Sequence, residues 1–140
     1  MKRKLNFEIG LLVAAVVLVS FVLQGCSRTA KIVNIEKGIT STRADGSQHT
    51  VKEVKEAILD ACAKLQWGAV EEKPGLIKAS LDIRTHHAEI DINYSSRTYF
   101  ISYVDSYNLR YNNGYIHKNY NLWVTDLSNL IDRNLKYNLK

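Results

Sequence analysis

The spacing of apolar residues changes twice along the chain, from a helical period to strict alternation and back. Between positions 51 and 65, apolar residues recur every three or four positions, which predicts one buried helical face. These residues are Val51, Val54, Ile58, Ala61, Cys62 and Leu65. The letters "TVKE" at 50–53 have the form of a capping box that starts this helix. A second helical pattern, from Ile116 to Leu135, predicts a long closing helix.

The middle of the chain alternates apolar and polar positions, as strands of a sheet with one covered face do. The alternating stretches are "LIKASLDIR", "HHAEIDINY" and "RTYFISYVD", and "WGAVEEKPGL" precedes them as an edge strand. Pro74 and Gly75 suit the central positions of a type II turn. We therefore predict an α+β, two-layer sandwich in the order α-β-β-β-β-α, with both helices packed on one face of a four-stranded antiparallel meander.

The N-terminus has the pattern of a secretory signal. Lys2, Arg3 and Lys4 precede an uncharged apolar run over 9–23, which is short for a membrane-spanning helix. The run ends in "LQGC" at 23–26, which resembles the lipobox of bacterial lipoproteins. This resemblance implies that residues 1–25 are a lipoprotein signal peptide, that lipid such as palmitate is attached to Cys26, and that Ser27 directs the protein to the outer membrane. The alternative is an uncleaved single-span anchor.

Composition divides the rest of the chain into two parts. Residues 26–49 are polar and rich in Ser, Thr and Gly, so we interpret them as the lipidated cysteine and a flexible tether, with "AKIVNI" as a candidate short strand. Residues 50–140 form one globular α+β domain. Cys62 lies on the apolar face of the first helix and has no partner once Cys26 carries lipid, which predicts a buried structural thiol.

Charge excludes one class of partner. The formal net charge is +5, but three of the basic residues belong to the signal peptide. No basic stripe of the kind that binds nucleic acid follows one predicted face. The predicted location in the cell envelope instead favours two kinds of partner. One is the membrane, through lipid on Cys26, and the other is an envelope protein or glycan.

The segment 105–121, "DSYNLRYNNGYIHKNYN", is the densest in polar and aromatic residues. Tyrosine offers a large contact area with a polar tip, so this segment is a candidate binding site. Its candidate residues are Tyr107, Asn108, Tyr111, Tyr115, His117 and Asn121. In the alternative interpretation the segment builds turns and helix caps, and Tyr120 packs in the core.

Two chemical alternatives use the same region. A hydrolase would need Ser106 as nucleophile, His117 as base and Asp105 as orienting group, yet adjacent residues on a strand point to opposite faces. A metal site built from His86, His87 and His117 meets the same objection. We therefore predict no catalytic residues, no metal and no cofactor.

Several stretches of the domain resemble a family of small, uncharacterised proteobacterial lipoproteins. They are Trp67, Pro74-Gly75, "IDINY" at 90–94, "YVDSYNLRY" at 103–111 and "IHKNYNLWV" at 116–124. The resemblance implies a periplasmic α+β domain and brings no biochemical activity with it. The sequence as a whole predicts a lipid-anchored envelope protein that binds or scaffolds rather than an enzyme; the alternative is a hydrolase that acts on envelope material through 105–121.

Overall fold

The computed structural model describes residues 28–43 and 45–137. The predicted signal peptide, residues 1–25, and Cys26, the predicted site of lipidation, lie outside the described residues. The elements in chain order are β1 (Thr29–Lys31), β2 (Ile35–Gly38), α1 (Val51–Lys64), β3 (Gly68–Lys73), β4 (Leu76–Ile83), β5 (His86–Tyr94), β6 (Thr98–Tyr107), β7 (Tyr115–His117) and α2 (Lys118–Tyr137). Neither helix in this described part of the chain is long and apolar enough to cross a membrane.

Helix α1 begins with the predicted capping box. The Glu53 amide donates to the Thr50 hydroxyl at 3.2 Å, and the Thr50 amide donates to the Glu53 carboxylate at 2.7 Å. Val54, Ala57, Ile58, Ala61 and Cys62 are buried along one face of the helix. Val51 differs from the prediction, because it is 49% exposed on the first turn.

The predicted meander is present, but the sheet has five strands rather than four. Strands β3 to β6 pair in sequence, and β2 adds to the outer edge of β6, giving the order β2-β6-β5-β4-β3. Strand β2 lies within 26–49, the segment predicted to be a tether. Ile35 pairs with Ile101, and Lys37 reaches across to form an ion pair with Asp132 on α2. These contacts make this part of the segment an edge of the sheet.

A second, two-stranded sheet holds the first described residues. Strand β1 pairs antiparallel with β7, so Thr29 lies opposite His117 and Lys31 opposite Tyr115. The Lys118 amide donates to the Arg28 carbonyl at 3.0 Å. The chain is therefore fixed to the start of α2 from its first described residue.

The helices and the sheet form two layers around one core. Buried residues of both helices join the inward residues of β4, β5 and β6 in a single apolar cluster, which includes Ile58, Ile90 and Ile131. The other face of the sheet carries polar and charged residues such as Lys78 and Glu89. The α+β class and the covered and uncovered faces of the sheet are therefore as predicted.

Candidate functional site

A β-bulge in β6 sets the directions of the residues that open the candidate segment. Glu89 of β5 pairs with Asp105, whereas the next residue, Ile90, pairs with Tyr103, which leaves Val104 as the extra residue. Because of this extra residue, Tyr103 and Ser106 lie on the covered face and Asp105 lies on the open one. Tyr103 and Ser106 then share a hydrogen bond of 3.0 Å between their hydroxyls.

The three residues of the hydrolase alternative take part in separate local interactions. The Asp105 carboxylate accepts from the Ser106 amide at 2.7 Å, and the Ser106 hydroxyl is bonded to Tyr103. His117 Nδ1 accepts from the Asn119 amide at 3.3 Å, at the start of α2. Within residues 28–43 and 45–137, no hydrogen bond joins Asp105 or Ser106 to His117. The proton relay that a serine nucleophile needs is therefore not assembled in this arrangement.

The three histidines fall into two environments. The rings of His86 and His117 stack with centroids 6.2 Å apart, and His86 Nδ1 donates to the Asn108 carbonyl at 2.8 Å. Burial, and then the positive neighbours His86, Arg110 and Arg28, lower the pKa of His117. Among the described side chains, no group of three His, Cys, Asp or Glu is arranged to hold a metal ion.

His87 lies on the open face instead. Its ring bonds the Asp82 carboxylate at 2.7 Å and the Glu89 carboxylate at 3.2 Å. Hydrogen bonds to Asp82 and then to Glu89 raise its pKa, since both favour the protonated ring. Neighbouring histidines 86 and 87 thus point to opposite faces, as the strand period requires.

All three candidate tyrosines are exposed. Tyr107, Tyr111 and Tyr115 are 73%, 49% and 54% exposed. Tyr111 stacks on Tyr103 at a centroid distance of 4.7 Å, and Tyr103 meets the buried Tyr120 edge-on at 5.6 Å. An aromatic column therefore runs from the core to the surface and fixes the position of the Tyr111 ring.

The two asparagines of the candidate set hold the fold together. Asn108 adopts a left-handed conformation with φ of 58° and donates to the Thr85 hydroxyl at 2.9 Å, which joins the β4–β5 turn to the end of β6. Asn121 donates to the Lys31 carbonyl at 2.8 Å and accepts from the Val33 amide at 3.1 Å. These bonds agree with the alternative in which part of the segment builds turns and connections.

The open face of the five-stranded sheet, hereafter the open face, is acidic, although Lys78 and Arg84 make the same stretches mixed in sign when they are read along the sequence. Strand register and ion pairs place its carboxylates as Glu36, Glu72, Asp82, Glu89, Asp91 and Asp105. Among residues of β4, β5 and β6, Lys78 is the one lysine or arginine on this face, and it pairs with Glu72 at 3.3 Å and Asp91 at 3.7 Å. His87 also lies on this face, between Asp82 and Glu89, so the face keeps an excess of carboxylates over basic groups.

The centre of the open face is a shallow groove. Gly68, Val70, Lys78, Glu89 and Val104 line it. Val70 is 64% exposed and Val104 is 44% exposed, and the bulge leaves the consecutive residues Val104 and Asp105 both on this face. Alternation along single strands indicates this face, the pairing of β3 to β6 brings five of its carboxylates together, and β2 adds Glu36.

Compared with known protein families, curated proteins and solved structures, the chain matches none.

Proposed function

We propose that the protein is a lipid-anchored component of the bacterial cell envelope, held through Cys26 in the outer membrane and facing the periplasm, whose domain binds a partner rather than catalysing a reaction. The charged N-terminus, the short apolar run and "LQGC" at 23–26 support the anchor. The separate environments of Ser106 and His117 favour binding over hydrolysis.

The acidic open face is the observation that carries the binding role. Its carboxylates lie on hydrogen-bonded strands and need little ordering when a partner arrives, which lowers the entropic cost of association. A surface of one dominant charge attracts and orients a partner of the opposite charge. The partner class that fits is a basic segment of an envelope protein.

Val70 and Val104 give this face the other feature of a binding surface. They place apolar area in the groove, and Glu89 and Lys78 surround it with charge. An apolar centre with a polar rim is the usual anatomy of a protein interface. A glycan partner would instead need aromatic platforms, which the groove lining does not provide.

Photo-crosslinking in living cells tests the binding role. A photoreactive residue at Val70 or Val104 of the lipidated protein is expected to give a discrete protein adduct, and the same residue at the exposed Thr125 on α2 is the control. Glu89→Gln with Asp91→Asn should reduce the adduct several-fold, whereas Glu56→Gln with Asp126→Asn, which removes the same charge from the helices, should not. Absence of a protein adduct at both groove positions would contradict this role.

Mass spectrometry of the purified protein tests the anchor separately. The expected mature chain begins at Cys26 and carries acyl groups on that residue. A chain that retains residues 1–25, or a free thiol at Cys26, would contradict the anchor. It would not bear on the binding role of the open face, which the crosslinking experiment tests.

A further inference from the structure

The first described residue, Arg28, lies two positions after the proposed lipid attachment site. Only Ser27 separates Cys26 from Arg28, whose carbonyl accepts from the Lys118 amide at 3.0 Å. From Thr29 the chain is paired with β7. Two residues reach at most about 7 Å even when fully extended. A lipid on Cys26 would therefore bring this end of the domain against the bilayer.

The same end of the domain is basic. Arg28, Lys31, Arg110 and Lys118 are all exposed there. Lys31 lies opposite Tyr115 in the two-stranded sheet, and Lys118 opens α2 beside Arg28. Arg28 and Arg110 lie close enough to His117 to lower its pKa. The cations thus surround the start of β1 and α2.

Exposed apolar side chains lie among these cations. Tyr111 and Tyr115 are half exposed, and an isolated bridge between Asn112 and Tyr115 holds the loop between them. Val33, 36% exposed, lies in the β1–β2 connection that Asn121 bonds, and Leu122, 60% exposed, follows Asn121 on α2. Tyrosine is enriched where proteins meet the headgroup region of a bilayer, because its ring is apolar and its hydroxyl is wet.

We propose that the anchor-end surface, formed by Arg28, Lys31, Arg110, Lys118, Tyr111 and Tyr115, docks on the headgroups of an anionic lipid bilayer. This inference rests on the lipidation of Cys26 proposed above. The arginines and lysines bind lipid phosphates, and the tyrosines enter the headgroup layer. The occupant is a membrane because the surface surrounds the point where the chain leaves toward its lipid.

Docking in this position also orients the acidic open face. The anchor-end surface lies on the two-stranded sheet and beyond the end of β6, whereas the carboxylates are spread along β4, β5 and β6. Asp82, at the same end of β4, is paired with His87. The anionic bilayer therefore meets the basic end of the domain, and the acidic open face stays accessible to a partner in the periplasm.

Lipid photo-crosslinking tests the inference on the intact lipidated protein. The protein is reconstituted into vesicles of phosphatidylethanolamine and phosphatidylglycerol that contain a phospholipid with a photoreactive headgroup, and adducts are mapped by mass spectrometry. Adducts are expected on residues 110–118, and they should weaken in vesicles of phosphatidylcholine alone and at high salt. Arg110→Gln with Lys118→Gln should lower the ratio of docked to undocked domain about fivefold for each cation removed.

Lys73→Gln with Arg97→Gln is the matched control, because both residues are exposed and lie near the turns at the opposite end of the sheet. Two results in a protein whose Cys26 is acylated would overturn the docking surface and leave the anchor intact. One is lipid adducts spread evenly over the domain, and the other is adducts that Arg110→Gln with Lys118→Gln leaves unchanged. A protein without lipid on Cys26 would overturn both. Protein adducts in place of lipid adducts at 110–118 in cells would show that the surface meets a protein instead.

Discussion

The side-chain amide of Asn121 donates a hydrogen bond of 2.8 Å to the backbone carbonyl of Lys31. The oxygen of the same amide accepts from the Val33 backbone at 3.1 Å, so one side chain satisfies two backbone groups of the β1–β2 connection. Asn121 thereby joins the first described strand to α2. Asn121, which the sequence presents as a binding candidate, therefore has a structural role: it holds β1 against α2 beside the anchor-end surface.

Asn121→Ala is expected to lower the free energy of unfolding by about 1–3 kcal/mol, since two hydrogen bonds are lost and the Lys31 carbonyl and Val33 amide lose their partner. Amide hydrogen exchange should rise in residues 31–34 before the rest of the domain opens. Chemical denaturation and exchange measured by mass spectrometry check both effects. Asn129→Ala, at an exposed position of the same helix, is the control, and equal losses in the two variants would contradict this role of Asn121.

The Tyr99 hydroxyl connects the sheet to α2 within the core. It donates to Asp132 at 2.7 Å and is bonded to the Ser128 hydroxyl at 2.8 Å, while its ring is 1% exposed. Tyr99→Phe keeps the ring and removes both bonds, so we expect a loss of about 1–3 kcal/mol in the free energy of unfolding. Tyr107→Phe, at a side chain that is 73% exposed, should change it by less than about 0.5 kcal/mol. Thermal melts that place both variants at the wild-type midpoint would contradict the prediction.

His87 and His117 should give opposite pH dependences of stability. Asp82 and Glu89 raise the pKa of His87 above 6.5 in the fold, so its contribution is fully present below 6.5 and is lost as pH rises through the raised value. Burial and the neighbours His86, Arg110 and Arg28 lower the pKa of His117, so the fold loses stability as pH falls through 6.5 toward the lowered value. Unfolding measured from about pH 5 to about pH 8 separates the two effects in single variants.

Relative to wild type, His87→Gln should be least stable at the acidic end of that range and approach wild type as pH rises. The stability of His117→Gln should rise relative to that of wild type as pH falls, because the unfolded variant no longer has a histidine at this position to take up a proton. Parallel pH profiles for the two variants would contradict these assignments.

Cys62 should be unreactive in the folded protein. It has no exposed surface, and burial raises the pKa of its thiol to about 12, so almost no thiolate is present at neutral pH. A thiol reagent applied to the lipidated protein is therefore expected to modify Cys62 only after denaturation. Thr125→Cys supplies an exposed thiol as a positive control, and rapid modification of Cys62 under native conditions would contradict the prediction.

Local pattern determined much of the fold. The period of three to four residues in α1, the capping box at Thr50, and the alternation in β4 and β5 each follow from the geometry of a single element, and all are present in the structure. Cys62 is buried for the same reason, because it lies on the apolar face of α1. These features can be predicted from the sequence because the residues that form each of them lie close together along the chain.

Pairing between distant segments was decided only by the tertiary structure. Strands β1 and β2 have three and four residues, too few for an alternation that stands out from a polar segment, and their partners β7 and β6 lie far along the chain. The bulge that places Asp105 on the open face and Ser106 on the covered one depends on the register between β5 and β6. The pairing of β1 with β7 gathers the basic residues of the anchor-end surface, which are scattered along the sequence, and the pairing of β2 with β6 adds Glu36 to the open face.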